Sequence, residues 1–301
     1  MTPAITEISP GPPAGTGAGE AHPGLPGGAR LSPRKGWRPG STLTRGSGVG
    51  LGIAMIWFSL LVLIPLTALV VTAASGGWDQ YVTTLSNAQT WAAIRLTVGQ
   101  ALAVTLLNVV MGTVIAWVLV RDRFWGKAVL DVLIDIPFAL PTIVAGLVLL
   151  SLYGKGSPLG LEWANTERSV TLALAFVTLP FVVRTVQPVL EELEGDVEEA
   201  AASLGANRLT IFRRIILPSL VPAIAAGAAL AFARAISEYG SLVLLSGNLP
   251  FRTEVVSVRV LTFIENGNTA AAAALASVML AVALFVIVAL DLVQRRVARR
   301  G

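Results

Sequence analysis

Cysteine is absent from the 301-residue chain, and histidine occurs once, as His22. Disulfides, thiol chemistry, haem ligation and Cys/His metal sites are thereby excluded. Charge is scarce as well. Asp, Glu, Lys and Arg make up 13% of the residues, about half of the roughly 25% found in water-soluble domains. Residues 46–78, 96–120 and 266–290 contain no charged side chain at all, and each exceeds the ~20 residues of helix that cross a hydrocarbon layer. A soluble enzyme and a disordered chain are both ruled out. No G-x-x-x-x-G-K-[ST] occurs: Lys127 and Lys155 each follow a glycine but lack the upstream glycine and the following hydroxyl of a phosphate-binding loop. No grouping of nucleophile, base and orienting residue stands out, so the chain is expected to be non-catalytic.

What is abundant is apolar sequence, 54% of the residues. Six apolar stretches follow one another at about 50–74, 95–120, 129–152, 169–190, 219–245 and 269–291. Their lengths suit helices, which satisfy every backbone hydrogen bond internally, as lipid demands. Runs such as Leu60-Leu61-Val62-Leu63-Ile64 lack the alternation of a β-barrel strand. The first 50 residues hold 12 Gly and 8 Pro and few large apolar side chains, too little burial to offset the entropy of ordering. The expected organisation is a disordered Pro/Gly-rich tail over 1–48, a six-span membrane domain over 49–294 and a basic tail over 295–301. A signal peptide is not expected, because the first apolar run begins after residue 48 and is longer than the about 7–15 residues of a signal core.

Lys and Arg in the connections set the orientation. With both termini in the cytoplasm, 16 of them fall on or near that side (Arg30, Arg34, Lys35, Arg38, Arg45, Arg121, Arg123, Lys127, Arg184, Arg208, Arg213, Arg214, Arg295, Arg296, Arg299 and Arg300). Five fall opposite (Arg95, Lys155, Arg168, Arg252 and Arg259), with Arg234 inside a span. The pI near 10.0 therefore reflects one membrane face and not a nucleic-acid surface. On this topology the largest cytoplasmic connection is 191–218, EELEGDVEEAAASLGANRLTIFRRIILP. Its acidic, Ala-rich half favours helix, Gly205 sits where a turn or C-cap belongs, and Leu209, Phe212 and Ile216 form a second short amphipathic piece. Two short helices around a glycine turn are expected to present a small knob to the cytoplasm.

This loop resembles a known motif. Glu199-Ala200-Ala201, three residues, Gly205, nine residues, Ile215, one residue and Leu217-Pro218 match the EAA loop of permease subunits of binding-protein-dependent ABC importers. The resemblance narrows further. Ile134-Asp135-Ile136-Pro137-Phe138-Ala139-Leu140-Pro141-Thr142, then Val144-Ala145-Gly146-Leu147, is similar to the third-span signature of the sulfate/thiosulfate permease T (U) subunits. The stretch from Pro180 to Glu192, Gly247-Asn248 and Thr253-Glu254-Val255 also fit. Molybdate permeases share the EAA loop and part of the Leu-Pro-Thr region, so a molybdate or other oxyanion ABC permease is the alternative.

The resemblance implies an all-α integral membrane protein with six transmembrane helices and a cytoplasmic EAA coupling-helix loop. It implies a place in the bacterial plasma (inner) membrane and three kinds of partner besides the lipid bilayer: a second, different permease chain, two copies of an ATPase subunit carrying ATP-Mg, and a soluble sulfate-binding protein. No nucleic acid and no cofactor on this chain are implied. The loop residues Glu199, Ala200, Ala201, Gly205, Ile215, Leu217 and Pro218 would dock on the ATPase. A secondary carrier coupled to protons through Asp131, Asp135 or Glu238 is the other class of reading, but carriers commonly show internal repeats, and none is evident.

An anion crossing about 30 Å of hydrocarbon needs cations, helix N-termini or water. Candidates are Arg234, expected well inside the bilayer if its span begins near Ser219, and Arg184, near the cytoplasmic end of its own span. Thr142 is the third, where Pro137 and Pro141 interrupt the backbone ladder. Each has a structural alternative: pairing of Arg234 with Glu238 one turn on, snorkelling of Arg184 or its pairing with Asp135, and a plain packing kink at the prolines. Ala225, Ala226, Gly227 and Ala229 suit close helix approach. Val256, Val260, Phe263 and Ile264 predict a short amphipathic helix after the fifth span.

Overall fold

The computed structural model describes residues 45–193 and 195–298, so residues 1–44 of the tail expected over 1–48 lie outside the described residues. The chain divides into Met1–Ile53 and Ala54–Gly301. Most of the described residues are helical, in the order α1 (Arg45–Phe58), α2 (Ile64–Ser75), α3 (Gly77–Ser86), α4 (Ala88–Arg121), α5 (Lys127–Ala139), α6 (Thr142–Tyr153) and α7 (Glu167–Glu192). Then come α8 (Gly195–Ser203), α9 (Arg208–Ile211), α10 (Leu217–Ile236), α11 (Gly240–Leu245), α12 (Val256–Glu265) and α13 (Thr269–Ala298). The expected boundary at 48 falls inside α1, and the basic tail expected from 295 begins inside α13.

Five helical stretches are long and apolar enough to cross a membrane: Ser47–Ser75, Ala88–Arg121, Glu167–Glu192, Arg208–Ile236 and Thr269–Arg296. The third apolar stretch is not a straight span. α5 and α6 meet at 116°, because Leu140, forced out of the helical region by the following proline, adopts φ −86° and ψ 133°. Prolines act more gently elsewhere. Wide π turns at Ser59–Leu63 and Phe212–Ile216 are closed by Ile64 N–H donating to Ser59 and Leu217 N–H to Phe212. Each stands just before a proline, Pro65 or Pro218, where a widened turn relieves the clash of the ring with the carbonyl four residues back.

α4, α7 and α10 form the centre of the larger unit, α13 packs on α10, and α2 and α12 pack on α13. Small residues let these backbones approach, as they do in lipid where no hydrophobic force joins helices. Gly112 of α4 and Gly227 of α10 close on the same residue of α7 from two sides. A Cβ on Gly112 would lie 2.9 Å from the Val182 Cβ, and one on Gly227 3.0 Å from the Val182 Cα. Gly227 is thus one of the four small residues expected to pack closely that does so against backbone. Polar contacts add to the packing: buried Asn108 donates from Nδ2 to Thr178 Oγ1 at 2.9 Å and to the Ala175 carbonyl at 3.1 Å, joining α4 to α7.

The outward faces of α2 and α4 carry Val70, Val71, Leu106, Val110 and Val114 in the open, the pattern of helices whose outer face meets lipid instead of water.

Candidate functional site

Two regions carry the predicted site residues. The first is the knob made by α8 and the turn after it. α8 ends in a Schellman arrangement: Ala206 N–H donates to the Ala201 carbonyl at 3.1 Å, and Gly205 N–H to the Ala202 carbonyl at 2.9 Å. Such an ending places the residue after the cap in the left-handed region, which glycine adopts at no steric cost, and Gly205 has φ +86°. Asn207 then caps α9 by accepting from Thr210 N–H at 2.8 Å.

α9 does not stand alone as the expected second short helix. Through the π turn it runs into α10, so that Arg208–Ile236 is one 29-residue helix and Ile215, Leu217 and Pro218 lie within it. The knob is therefore one short helix and a turn set against the start of the fifth span. Glu199 and Ala200 are exposed, while Ala201 packs on the core cluster that contains Ile211, Ile216 and Leu220. Val197 (47% exposed), Leu204 (90%) and Leu209 (64%) leave an apolar rim on the knob.

Sequence reasoning missed how the knob is held. Arg121, the last residue of α4, forms an ion pair with Glu198 of α8 and also lies over the Trp117 ring, 5.8 Å from its centroid. Trp117 meets Phe212 edge-on at 5.8 Å. The knob is so tied both to α4 and to the entry of the fifth span. Arg121 and Glu198 were visible as opposite charges on one membrane side, but 77 residues separate them.

The second region comprises the polar groups along the spans. Arg184 on α7 is clamped to α5. Nε donates to Asp135 Oδ1, Nη2 to Asp135 Oδ2 and the Asp131 carbonyl, and Nη1 to Asp131 Oδ1, all at 2.7 Å, with a further bond from Nη1 to Gln187 Oε1 at 2.6 Å. A guanidinium has five N–H donors, and here every one is engaged.

Arg234 reaches Glu238 Oε2 at 2.7 Å. It lies in the last turn of α10, and the bounds of the fifth stretch differ from those expected: the continuous helix begins at Arg208, not near Ser219, and stops at Ile236, not at 245. Glu238 sits in the break with only 1% of its side chain exposed, and its Oε1 accepts from both Ser241 N–H and Ser241 Oγ–H at 2.8 Å. The carboxylate thus caps α11, satisfying one of the backbone donors that a helix start leaves open.

Thr142 opens α6 just past the 116° bend and lies against Gly240, the first residue of α11. There, α6 and α11 pack backbone to backbone, since a Cβ on Gly146 would come 2.7 Å from the Ser241 carbonyl oxygen. No hydrogen bond or ion pair joins any two of Thr142, Arg184 and Arg234 among the described residues. No metal-binding group of His, Asp or Glu occurs among them either. The amphipathic helix expected after the fifth span is α12, whose Val256 is buried and whose N-terminal Val256 N–H donates to Thr97 Oγ1 of α4 at 2.9 Å.

The family model for the binding-protein-dependent transport system inner membrane component matches residues 108–300. The sulfate transport system permease protein CysT of Salmonella typhimurium is 42% identical over 269 residues, covering 87% of this chain and 95% of that protein. The protein of the same name in Escherichia coli is 42% identical over 270 residues at the same coverage. Among solved structures, a bacterial ABC transporter involved in the import of alginate superposes with a TM-score of 0.70 at 17% identity, covering 83% of this chain and 94% of that one. An inward-facing MetNI methionine ABC transporter gives 0.55 at 17% identity over 70% of this chain and 99% of the other. Those two likenesses speak to the fold alone. The helical architecture, the family match and the extent of identity together make this chain a member of the binding-protein-dependent transport system inner membrane component family, a multi-pass permease of an ABC transporter.

Proposed function

We propose that the chain is one of two permease subunits in an ATP-driven importer of sulfate and thiosulfate in the bacterial plasma membrane, with both termini cytoplasmic. Identity of 42% to sulfate permeases over almost their whole length is the observation that carries the substrate class. The excess of Lys and Arg on one face, 16 against five, supports the orientation. In this reading ATP-Mg binds a separate ATPase, present twice, and a soluble sulfate-binding protein delivers the anion from outside to a path shared with a second, different permease chain.

The knob is the ATPase contact. α8 offers exposed Glu199 and Ala200 and the rim of Val197, Leu204 and Leu209, a small apolar surface with an acidic edge suited to a groove. Closure of the ATPase pair moves α8, and the Arg121–Glu198 pair passes that motion to α4. Arg184 belongs to the scaffold of this path, since its donors are consumed by α5, whereas Arg234 and Thr142 stand at the end of α10 and the start of α6, where a passing anion would meet them. Arg234 is held by Glu238 at rest and would have to exchange that carboxylate for the anion.

Labelled sulfate uptake in cells lacking their own sulfate permease, with and without this chain and its partner subunits, tests the proposal. Uptake that thiosulfate competes away and molybdate does not is the expected outcome. Competition by molybdate alone would make the chain a molybdate permease, and uptake persisting without an ATPase would make it a secondary carrier.

A further inference from the structure

Outside the knob and the span polar groups, one cavity joins cations from distant parts of the sequence. It has a volume of about 460 Å³ and is lined by Trp91, Arg95, Gln100, Glu167, Phe251 and Arg252, among others. Arg95 and Arg252 are exposed, and neither has a carboxylate within ion-pair distance among the described residues. Gln100 accepts from Thr171 Oγ1 at 2.7 Å, which leaves its NH₂ donors without a partner among those residues.

The loop that brings Arg252 here is strained and tightly tied. Phe251 has φ +64° and Asn248 φ +51°, conformations costly for residues with a Cβ, above all for a bulky one. They are held by a dense set of bonds: Leu249 N–H donates to Thr253 Oγ1 at 3.0 Å, the Leu249 carbonyl accepts from the N–H groups of Arg252, Thr253 and Glu254, and Asn248 Nδ2 donates to the Val243 carbonyl at 2.9 Å. Backbone strain over-determined in this way is characteristic of sites where a side chain must be presented. What it presents are an exposed aromatic ring and an exposed guanidinium, in a cavity that already holds a second guanidinium.

We propose that this cavity is a receiving site for a tetrahedral, doubly charged oxyanion, bridged by Arg95 and Arg252 at the outer mouth of the permease. Guanidinium groups suit such ligands because their planar donors match oxyanion geometry. Glu167 on the cavity wall opposes binding, so the site holds the anion weakly and releases it inward. The inference deepens the import reading and rests on it for the direction of flow.

The same guanidinium chemistry would accept a lipid phosphate, and the test separates the two. In the purified complete transporter, without binding protein, labelling of arginines by phenylglyoxal is followed by peptide mass spectrometry in sulfate and in chloride at equal ionic strength. The expected result is at least threefold slower labelling of Arg95 and Arg252 in sulfate, with exposed Arg168 on the same face unchanged. Arg95→Gln is expected to abolish the protection of Arg252, and Glu167→Gln to increase protection at a given sulfate concentration. Equal labelling in sulfate and chloride, or equal protection of Arg168, overturns the site. So does protection by phosphatidylglycerol nanodiscs in sulfate-free buffer relative to phosphatidylcholine ones. Because labelling needs no transport, it decides the site whichever way the uptake measurement decides the import reading.

Discussion

Gly205 is the residue at which the knob can be tested by backbone conformation alone. Its φ of +86° lies in the left-handed region, yet a Cβ there would have nothing within 4 Å. Any substitution is therefore penalised by conformation and not by collision. For an ordinary L-residue that penalty is about 1–2 kcal/mol, a factor of about 5–30 in the equilibrium for the formed turn. α8 has nine residues, short of the ~12–15 at which an isolated helix becomes marginal, so it depends on the two Schellman bonds and the Arg121–Glu198 pair for its order. Loss of the turn exposes the carbonyls of Ala201 and Ala202 and frees the end of the helix.

The substitution series separates conformation from surface chemistry. Asn enters the left-handed region more readily than other residues with a side chain, Asp shares part of that tolerance, and β-branched Val does not. In proteoliposomes of the complete transporter, Gly205→Asn should retain most substrate-stimulated ATP hydrolysis and uptake, and Gly205→Val should lose most of both. Gly205→Asp, close to Asn in shape, should leave the chain in the membrane and uncouple uptake by placing a negative charge on the proposed docking surface. Melting of the solubilised permease should change little across the series, because a side chain at position 205 meets no core atom and only Ala201 and Ala206 tie the turn to the core. The reasoning is refuted if Val works as well as Gly, or if Asn is as damaging as Val.

Three further outcomes follow from the packing and the ion pairs. Arg184→Gln leaves two carboxylates without their cation and should lower the stability of the solubilised protein by about 1–3 kcal/mol, below the 3–5 kcal/mol of fully buried pairs because Asp131 and Asp135 are 43% and 50% exposed. Adding Asp131→Asn and Asp135→Asn should restore most of the loss in a thermal melt, and no restoration would mean the clamp is not electrostatic. Gly112→Ala overpacks against the Val182 side chain at a cost of ~1–3 kcal/mol; Val182→Ala should relieve it, whereas Gly227→Ala, which meets the Val182 Cα, should gain far less from that change in the same melt. Exchanging charges in Arg121→Glu with Glu198→Arg should recover ATP-driven uptake lost in either single variant, and a double variant as inactive as the singles would separate the pair from coupling.

The parts of the fold readable in the sequence are those set by local pattern. Apolar length located the five single spans, Gly205 marked the end of α8, and the spacing from Val256 to Ile264 gave α12. The missed features depend on what meets across space. Nothing local to Arg121 points to Glu198, and Gly112 looks like any glycine in a span until Val182 is found against it. The bend after α5 was half visible: Pro137 and Pro141 signalled a disturbed ladder, but a proline inside a helix and a proline that ends one look alike in sequence. Pro137 stays within α5, while Leu140-Pro141 turns the chain through 116°. The π turn before Pro218 converted an expected separate helix into the start of a long one, because a widened turn lets the helix continue where a normal turn would clash.

The fifth stretch shows why an acidic residue among apolar ones is ambiguous in sequence. In sequence Glu238 reads either as the ion-pair partner of Arg234 one turn on or as a proton-carrying group; the pair forms, at 2.7 Å, but not along the continuous helix that its spacing suggests. The helix instead stops at Ile236, and a chain that stops where its neighbours are buried must satisfy the backbone groups it frees. Glu238 does so for α11 through Oε1, accepting from Ser241 twice, while Oε2 lies 2.7 Å from Arg234 at the end of α10. One buried carboxylate therefore joins the end of one helix to the start of the next, with each oxygen serving a different side of the break. The arginine answers both the charge of Glu238 and the negative end of the α10 dipole. Gly240 completes the arrangement by letting Thr142 of the bent pair come against the same break, which is why a residue without a side chain follows the acid so closely.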